Sequence, residues 1–367
     1  MAEKAIRLGG ESTAAAITQA VQELYPEHKF TEAEFARKDN AAEIAVDTNF
    51  AAQSFWKDVR IRFFRKKSAV LGLVMIMIIL LLAIFGPGMN SYTYSGQELS
   101  QKNFAPRVQV LENFGIFNGD EKMSTTTGSK TVNAYVEKGK EDVYYWFGSD
   151  TYGRDIWTRT WEGARVSLII AVAAAVIDMV IGMSYGLISG YFGGRVDMVM
   201  QRFLEVANGI PRLVIVTLLL LVLQPGMVTI IFALMLTEWV GMSRIARAEM
   251  LKLKDQEFVL ASRTLGAGSF FIIFKEVLPN IIGPIITQVM FSIPTAIFTE
   301  AFLSFVGLGI PVPQCSLGSL ISELYNSFTT HPYQIIPPIV VMSLLMLSFN
   351  LVADGLREAL DPKMKSM

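Results

Sequence analysis

Five stretches of this chain lack charge over lengths that constrain it more than any other feature. Residues 69–85 carry none; 166–194 carry only Asp178; 213–237 and 277–299 carry none; and 324–353 hold only His331. A membrane helix needs roughly 20 mostly apolar residues to cross the hydrocarbon core. One such run fits a buried soluble core, but five in a chain of 367 residues do not. The expected fold is an all-α polytopic membrane protein.

Gln224-Pro225-Gly226 splits the third stretch with a turn signal. Read as one helix it gives five spans. Read as two it gives six, over about 197–223 and 227–246. Charge placement favours six, because basic residues collect on cytoplasmic connections. Arg60, Arg62, Arg65, Lys66 and Lys67 precede the first span, and Arg244, Arg247, Lys252, Lys254, Arg263 and Lys275 crowd the connection before residue 277. No Lys or Arg lies between Val306 and Tyr333. Six spans put the basic connection inside and the uncharged one outside, with both termini cytoplasmic. Five spans reverse both connections.

Composition narrows the chemistry. Only 18% of residues are charged and the net charge is −1, which excludes a chain built mainly to grip nucleic acid. A single cysteine, Cys315, permits no internal disulfide, and two histidines, His28 and His331, are too few for an imidazole metal site. No cofactor is expected in this chain.

The expected organisation follows. Residues 1–49 form a cytoplasmic segment without a strong pattern, and the polar leader does not read as a secretory signal. Residues 50–67 mix Phe55, Trp56, Val59, Phe63 and Phe64 with basic residues and read as a helix lying in the membrane interface, cations toward anionic lipid headgroups. The first span covers 68–87. A polar extracytoplasmic region, 88–161, is too long for a bare connector. Residues 162–356 hold spans two to six, and 357–367 form a cytoplasmic tail.

The basic connection, about 250–277, reads as two short helices with a break. Asp255 is the expected cap of the first, with Glu257 adding negative charge to its first turn. Ala261, Ser262 and Leu265 offer a small face, and Gly266 supplies a left-handed exit. Ser269 is the expected cap of the second helix, Phe270, Phe271 and Phe274 its apolar side, and Pro279 leads into the next span. A compact, partly apolar knob of this kind is a docking feature.

At these residues the chain resembles the permease subunits of ABC importers. Their cytoplasmic signature is a Glu-Ala-Ala stretch, a Gly soon after, and a later Leu-Pro, matched here by Glu257, Ala261, Ser262, Gly266, Leu278 and Pro279. Ser262 stands where the family most often has Ala. Further blocks are similar: Phe147–Asp150, Gly153-Arg154-Asp155, Arg159 and residues 163–168; the glycine-rich 186–197; 300–309; and 354–362. Together they resemble the C-type permease of oligopeptide, dipeptide and nickel importers, with residues 1–49 and 88–145 outside the match.

The resemblance implies a type I ABC importer permease fold of six transmembrane helices with a cytoplasmic coupling-helix pair. It implies that Glu257, Ala261, Ser262, Arg263, Leu265, Gly266, Ala267 and Pro279 couple this subunit to an ATPase. It also implies the partners: a homologous second permease, two ATPase subunits that bind ATP and Mg, and an extracytoplasmic binding protein delivering peptide, in the cell membrane of a prokaryote. The chain has no Gly-x-x-x-x-Gly-Lys-Ser/Thr loop, so ATP binds elsewhere and this subunit is not itself the enzyme.

Asp178, Glu205, Glu238, Glu300 and Asp354 lie in or beside spans, where carboxylates are costly and often functional. Glu205, Glu238 and Asp354 are read as facing water or protein near span ends. Asp178 either lines the pathway or bonds to a neighbouring helix, and both readings stay open. Glu300 is read as holding the fifth span to its neighbours. Gly182, Gly186 and Gly190 recur on one helix face and suit close packing rather than a hinge. Asp150, Arg154 and Asp155 read as a salt-bridged turn, and Cys315 as incidental. The competing readings are a proton-coupled carrier using the carboxylates, the same architecture carrying nickel chelates, and a scaffold without substrate.

Overall fold

The computed structural model describes residues 55–125 and 128–360. The expected segment 1–49, residues 50–54 of the interfacial helix, and 361–367 of the tail lie outside the described residues. Helix α1 (Phe55–Arg65) buries Val59 and Phe63 and leaves Ile61 and Phe64 exposed. Lys66 is extended at φ −84°, ψ 103°, so the chain breaks there. The helix expected over residues 50–67 therefore ends at Arg65, and Lys67 already belongs to α2 (Lys67–Phe85), the first candidate span.

Residues 89–155 are not a bare loop. Phe104, Tyr135 and Tyr145 make a small aromatic core, and strands β1 (Asp120–Thr125) and β2 (Gly128–Asn133) pair as an antiparallel hairpin. The second span, expected from 162, begins six residues earlier as α3 (Ile156–Ile177). Asp155 is its N-cap, accepting the Thr158 amide at 2.9 Å, so the helix is nucleated by a carboxylate ahead of the uninterrupted apolar run.

α3 runs through a π-helical segment, Asp178–Gly182, into α4 (Met183–Phe192). A turn with Gly193 at φ 61° and Gly194 at φ 53° leads to α5 (Gly194–Gly209) and α6 (Arg212–Val222). These two are bent by 79°. Pro211 lacks an N–H and disfavours helical geometry at Ile210, which is extended at ψ 123°. α7 (Met227–Thr237) and α8 (Trp239–Leu253) continue one another as the next span, which reaches Leu253 rather than stopping near 246. After α9 (Glu257–Thr264) comes one turn, Ser269–Phe271, a π segment, Ile272–Val277, and α10 (Leu278–Leu303). α11 (Leu317–Tyr325) carries a capping box at Ser316. α12 (Ile336–Leu360) ends the described chain.

Five helices are long and apolar enough to cross a membrane, and counting the bent α5–α6 pair as one span makes six. The last candidate span starts at Pro332, not near 324, because α11 is a separate short helix. Residues 357–360, expected in the tail, are still helical.

The main core is built from α2, α3, α10 and α12. A second core joins α4, α8, α9, the π segment and the start of α10 through Leu187, Met242, Met250, Val259, Ile272 and Ile281. The glycine stripe explains the first contact in this second core. A Cβ on Gly182 would stand 2.5 Å from the Trp239 carbonyl oxygen, and one on Gly186 2.1 Å from that of Ser243. α4 and α8 touch backbone to backbone, as small residues permit.

The bundle has two unlike ends. At one, α12 meets α2 where Gly355 abuts Ala69 and meets the early turns of α10 where Leu360 lies against Gly283, so this end holds the basic residues before α2 and those around α9. At the other, the 89–155 region, α11 and residues 326–335 come together.

Candidate functional site

The knob at the basic end is fastened from three directions. Arg247 on α8 makes a two-toothed ion pair with Asp197 at the start of α5, at 2.6 and 2.5 Å, and the Ser189 hydroxyl donates to the same carboxylate at 2.5 Å. That geometry locks the glycine turn to α8. Val259, wholly buried, plugs α9 into the second core. Arg263 lies over the Tyr191 ring, 5.4 Å from its centroid.

The ends of α9 differ from expectation at the start. Gln256, not Asp255, is the N-cap, and it makes no side-chain capping bond. At the far end Gly266 has φ +84°, with its amide donating to the Arg263 carbonyl and the Ala267 amide to that of Ser262, both at 3.0 Å. This is a Schellman ending, which needs a left-handed residue at that position. Downstream, Gly268 rather than Ser269 is the N-cap. The second short helix does not stand alone. It runs through the π segment into α10, with Pro279 in the first turn of α10. A proline there offers no N–H to the preceding turn, and the helix widens just before it.

The knob shows a cluster of apolar side chains to solvent among its charged ones. Leu265 is 88% exposed, and Phe258, Leu260, Phe270 and Phe271 are exposed around it, as are Glu257 and Ala261; Ser262 and Ala267 are half-buried. A soluble monomer rarely leaves such a cluster uncovered.

The intramembrane carboxylates sit elsewhere. Asp178 is buried at the start of its π segment with Oδ1 unpaired, and Ser292 and Glu238 are its polar neighbours. Glu300 is fully buried and accepts from Ser304 (2.7 Å) and Ser316 (2.5 Å) on one oxygen and Ser167 (3.3 Å) on the other. It joins α10 to α3 and to the capping box of α11. Asp354 is exposed, Glu205 pairs with Arg202 at 2.6 Å, and Glu238 is half-buried between α7 and α8.

At the opposite end Arg159, fully buried, bonds Asp150 at 2.8 Å and Glu323 at 2.7 Å, and Arg154 reaches the same two acids. Burial pushes the Glu323 carboxyl up, but Arg159 and Arg154 outweigh it and hold it below the usual glutamate range. Asp155 takes no part in this cluster; it accepts from Thr158 and Asn90. Cys315 packs beneath, its thiol 3.5 Å from the Arg159 carbonyl. Sequence reasoning missed Glu323, although a signal existed. It is the one Asp, Glu, Lys or Arg between Glu300 and Asp354.

This arrangement is that of a multi-pass membrane protein with an exposed apolar cluster at one end. The family described as binding-protein-dependent transport system inner membrane component matches residues 182–366, and the N-terminal transmembrane domain of oligopeptide transport permease C matches 54–106. The oligopeptide transport system permease protein OppC of Bacillus subtilis (strain 168) is 42% identical over 85% of this chain and 91% of its own. The dipeptide transport system permease protein DppC of Lactococcus lactis subsp. cremoris (strain MG1363) is 42% identical over 85% and 92%. The chain belongs to this family of ABC transporter permeases. A solved inward-facing structure of a methionine ABC transporter is similar at a TM-score of 0.47 and 16% identity, covering 54% of this chain and 94% of that one.

Proposed function

We propose that the chain is one of two permeases of an ATP-driven importer, forming with a homologous subunit the pathway for oligopeptides or dipeptides handed over by an extracytoplasmic binding protein. The observation that carries this reading is the apolar knob of α9, seated by Val259, ended by Gly266 and presenting Leu265 to whatever docks there. A partner ATPase, which holds the ATP and Mg, covers that knob and moves it when nucleotide closes the ATPase pair. Rigid seating matters, because a floppy knob would absorb the motion instead of passing it on.

The gathering of basic residues at the knob's end supports a cytoplasmic placement for it and for the chain termini, with residues 89–155 outside. The relatives' names support peptide over nickel chelates as cargo. Glu300 is spent on three hydroxyls and Asp178 is enclosed, which speaks against a proton-carrier role for these two.

Uptake of labelled peptide by cells tests the reading. A Gly266→Asp variant is expected to reach the membrane at normal level and to transport nothing, as is Glu257→Lys. Normal uptake by a well-inserted Gly266→Asp protein would overturn the coupling role. Uptake that survives ATP depletion yet collapses with an uncoupler would overturn the ATP-driven mechanism.

A further inference from the structure

A cavity of about 370 Å³ opens between α1 and the last turns of α12, away from the knob. Its lining joins Arg62, Arg65 and Lys66 with Asp58 and Glu358, and adds Ile61, Gly355 and Ala359. Gly355 makes the approach possible, since a Cβ there would fall 2.3 Å from the Ala69 Cβ and 3.2 Å from the Phe63 ring.

The charges in the lining do not balance. Arg62 pairs with Asp58 at 2.8 Å, and Lys66 with Glu358, both on partly exposed side chains. Arg65 has no acidic partner among the described residues. Exposed pairs of this kind are weak and exchange partners readily. The walls are also amphiphilic, since Ile61 stands exposed beside the cations and Phe64 is exposed on the same helix. Immediately after Lys66 the chain enters the first span, whose Leu71 and Val74 are exposed. The pocket is thus placed where a membrane surface meets the hydrocarbon.

We propose that this cavity binds the phosphate-bearing headgroup of an anionic phospholipid, with Arg62, Arg65 and Lys66 contacting the phosphate and Ile61 lying against the glycerol and upper acyl chain. Basic pockets beside membrane helices take such headgroups. A bound lipid would bridge α1 to α12, which meet here where the Phe63 ring packs against Gly355, beside the Lys66–Glu358 ion pair.

Native mass spectrometry of the delipidated full chain, with phosphatidylglycerol, phosphatidylcholine or inorganic phosphate added, tests this. Phosphatidylglycerol is expected to be retained in preference to phosphatidylcholine. Arg65→Gln, which breaks no ion pair among the described residues, should weaken that retention about fivefold, and Lys57→Gln, on α1 but outside the lining, should leave it near wild type. Three results would each overturn the proposal: equal retention of both lipids by the wild type, an equal loss in Lys57→Gln and Arg65→Gln, or displacement of the lipid by inorganic phosphate at comparable concentration. The last would assign the pocket to a free anion.

Discussion

Replacing Gly186 by alanine puts one methyl group into the tightest helix–helix contact among the described glycines. Its Cβ would lie 2.1 Å from the Ser243 carbonyl oxygen, 2.8 Å from the Ala246 Cβ and 2.9 Å from the Arg247 amide nitrogen. Ordinary contact begins at 3.4 Å, so α4 and α8 have to part by about 1.3 Å. Two of those three atoms are backbone and cannot rotate aside. Overpacking of a well-filled core costs about 1–3 kcal/mol, and a backbone clash belongs at the upper end. The gain in helix propensity from Gly to Ala, about 1 kcal/mol, offsets part of this.

Gly241 provides the matched control. It lies on α8, is exposed, and has nothing within 4 Å of its Cβ position. Gly241→Ala is therefore expected to be neutral or stabilising by up to about 1 kcal/mol. Thermal unfolding of the purified variants, followed by tryptophan fluorescence in detergent, should give a Tm several degrees below wild type for Gly186→Ala and one at or above it for Gly241→Ala. Equal Tm values for the two would refute the argument that α4 and α8 meet through their backbones. Because Arg247 follows directly on α8, Gly186→Ala should also loosen the Asp197 pair that holds the knob.

Val259→Ala removes two buried carbons from the seat of α9 and should cost about 2 kcal/mol locally, read as faster hydrogen exchange over residues 257–267 with α12 unchanged. Glu323 gives a pH signature at the other end. Its folded pKa is depressed by Arg159 and Arg154, so its contribution is complete above the ordinary value of 4.5 and fades as pH falls through the lower, folded value. Thermal stability should decline on acidification below that range in the wild type, and the decline should be shallower in Glu323→Gln.

The spans were legible because long uncharged runs have few other uses, and the glycine stripe and Gly266 because each position admits no side chain cheaply. Element ends were not. Asp155 starts α3 ahead of its apolar run, and Gln256 and Gly268 take cap positions that Asp255 and Ser269 fit better by residue type. Those choices are made by tertiary seating, Val259 above all. The β1–β2 hairpin was illegible because Asp120–Thr125 is mostly polar and does not alternate. Its placement owes much to Glu121, which meets His331 at 3.0 Å across 210 positions of sequence. The bend between α5 and α6 could have been anticipated from Pro211.

Arg154, just ahead of α3, and Arg159, on its first turn, have a mechanical corollary. Asp150, from the segment before α3, and Glu323, from the helix beyond the fifth span, are both clamped by Arg154 and Arg159. Three stretches of chain are welded into a single stiff rim, and none can shift alone without baring a charge. A rearrangement that divided this rim would leave a buried charge unpaired, whereas the Pro211 elbow and the widened turns near Asp178 and Pro279 carry no such clamp.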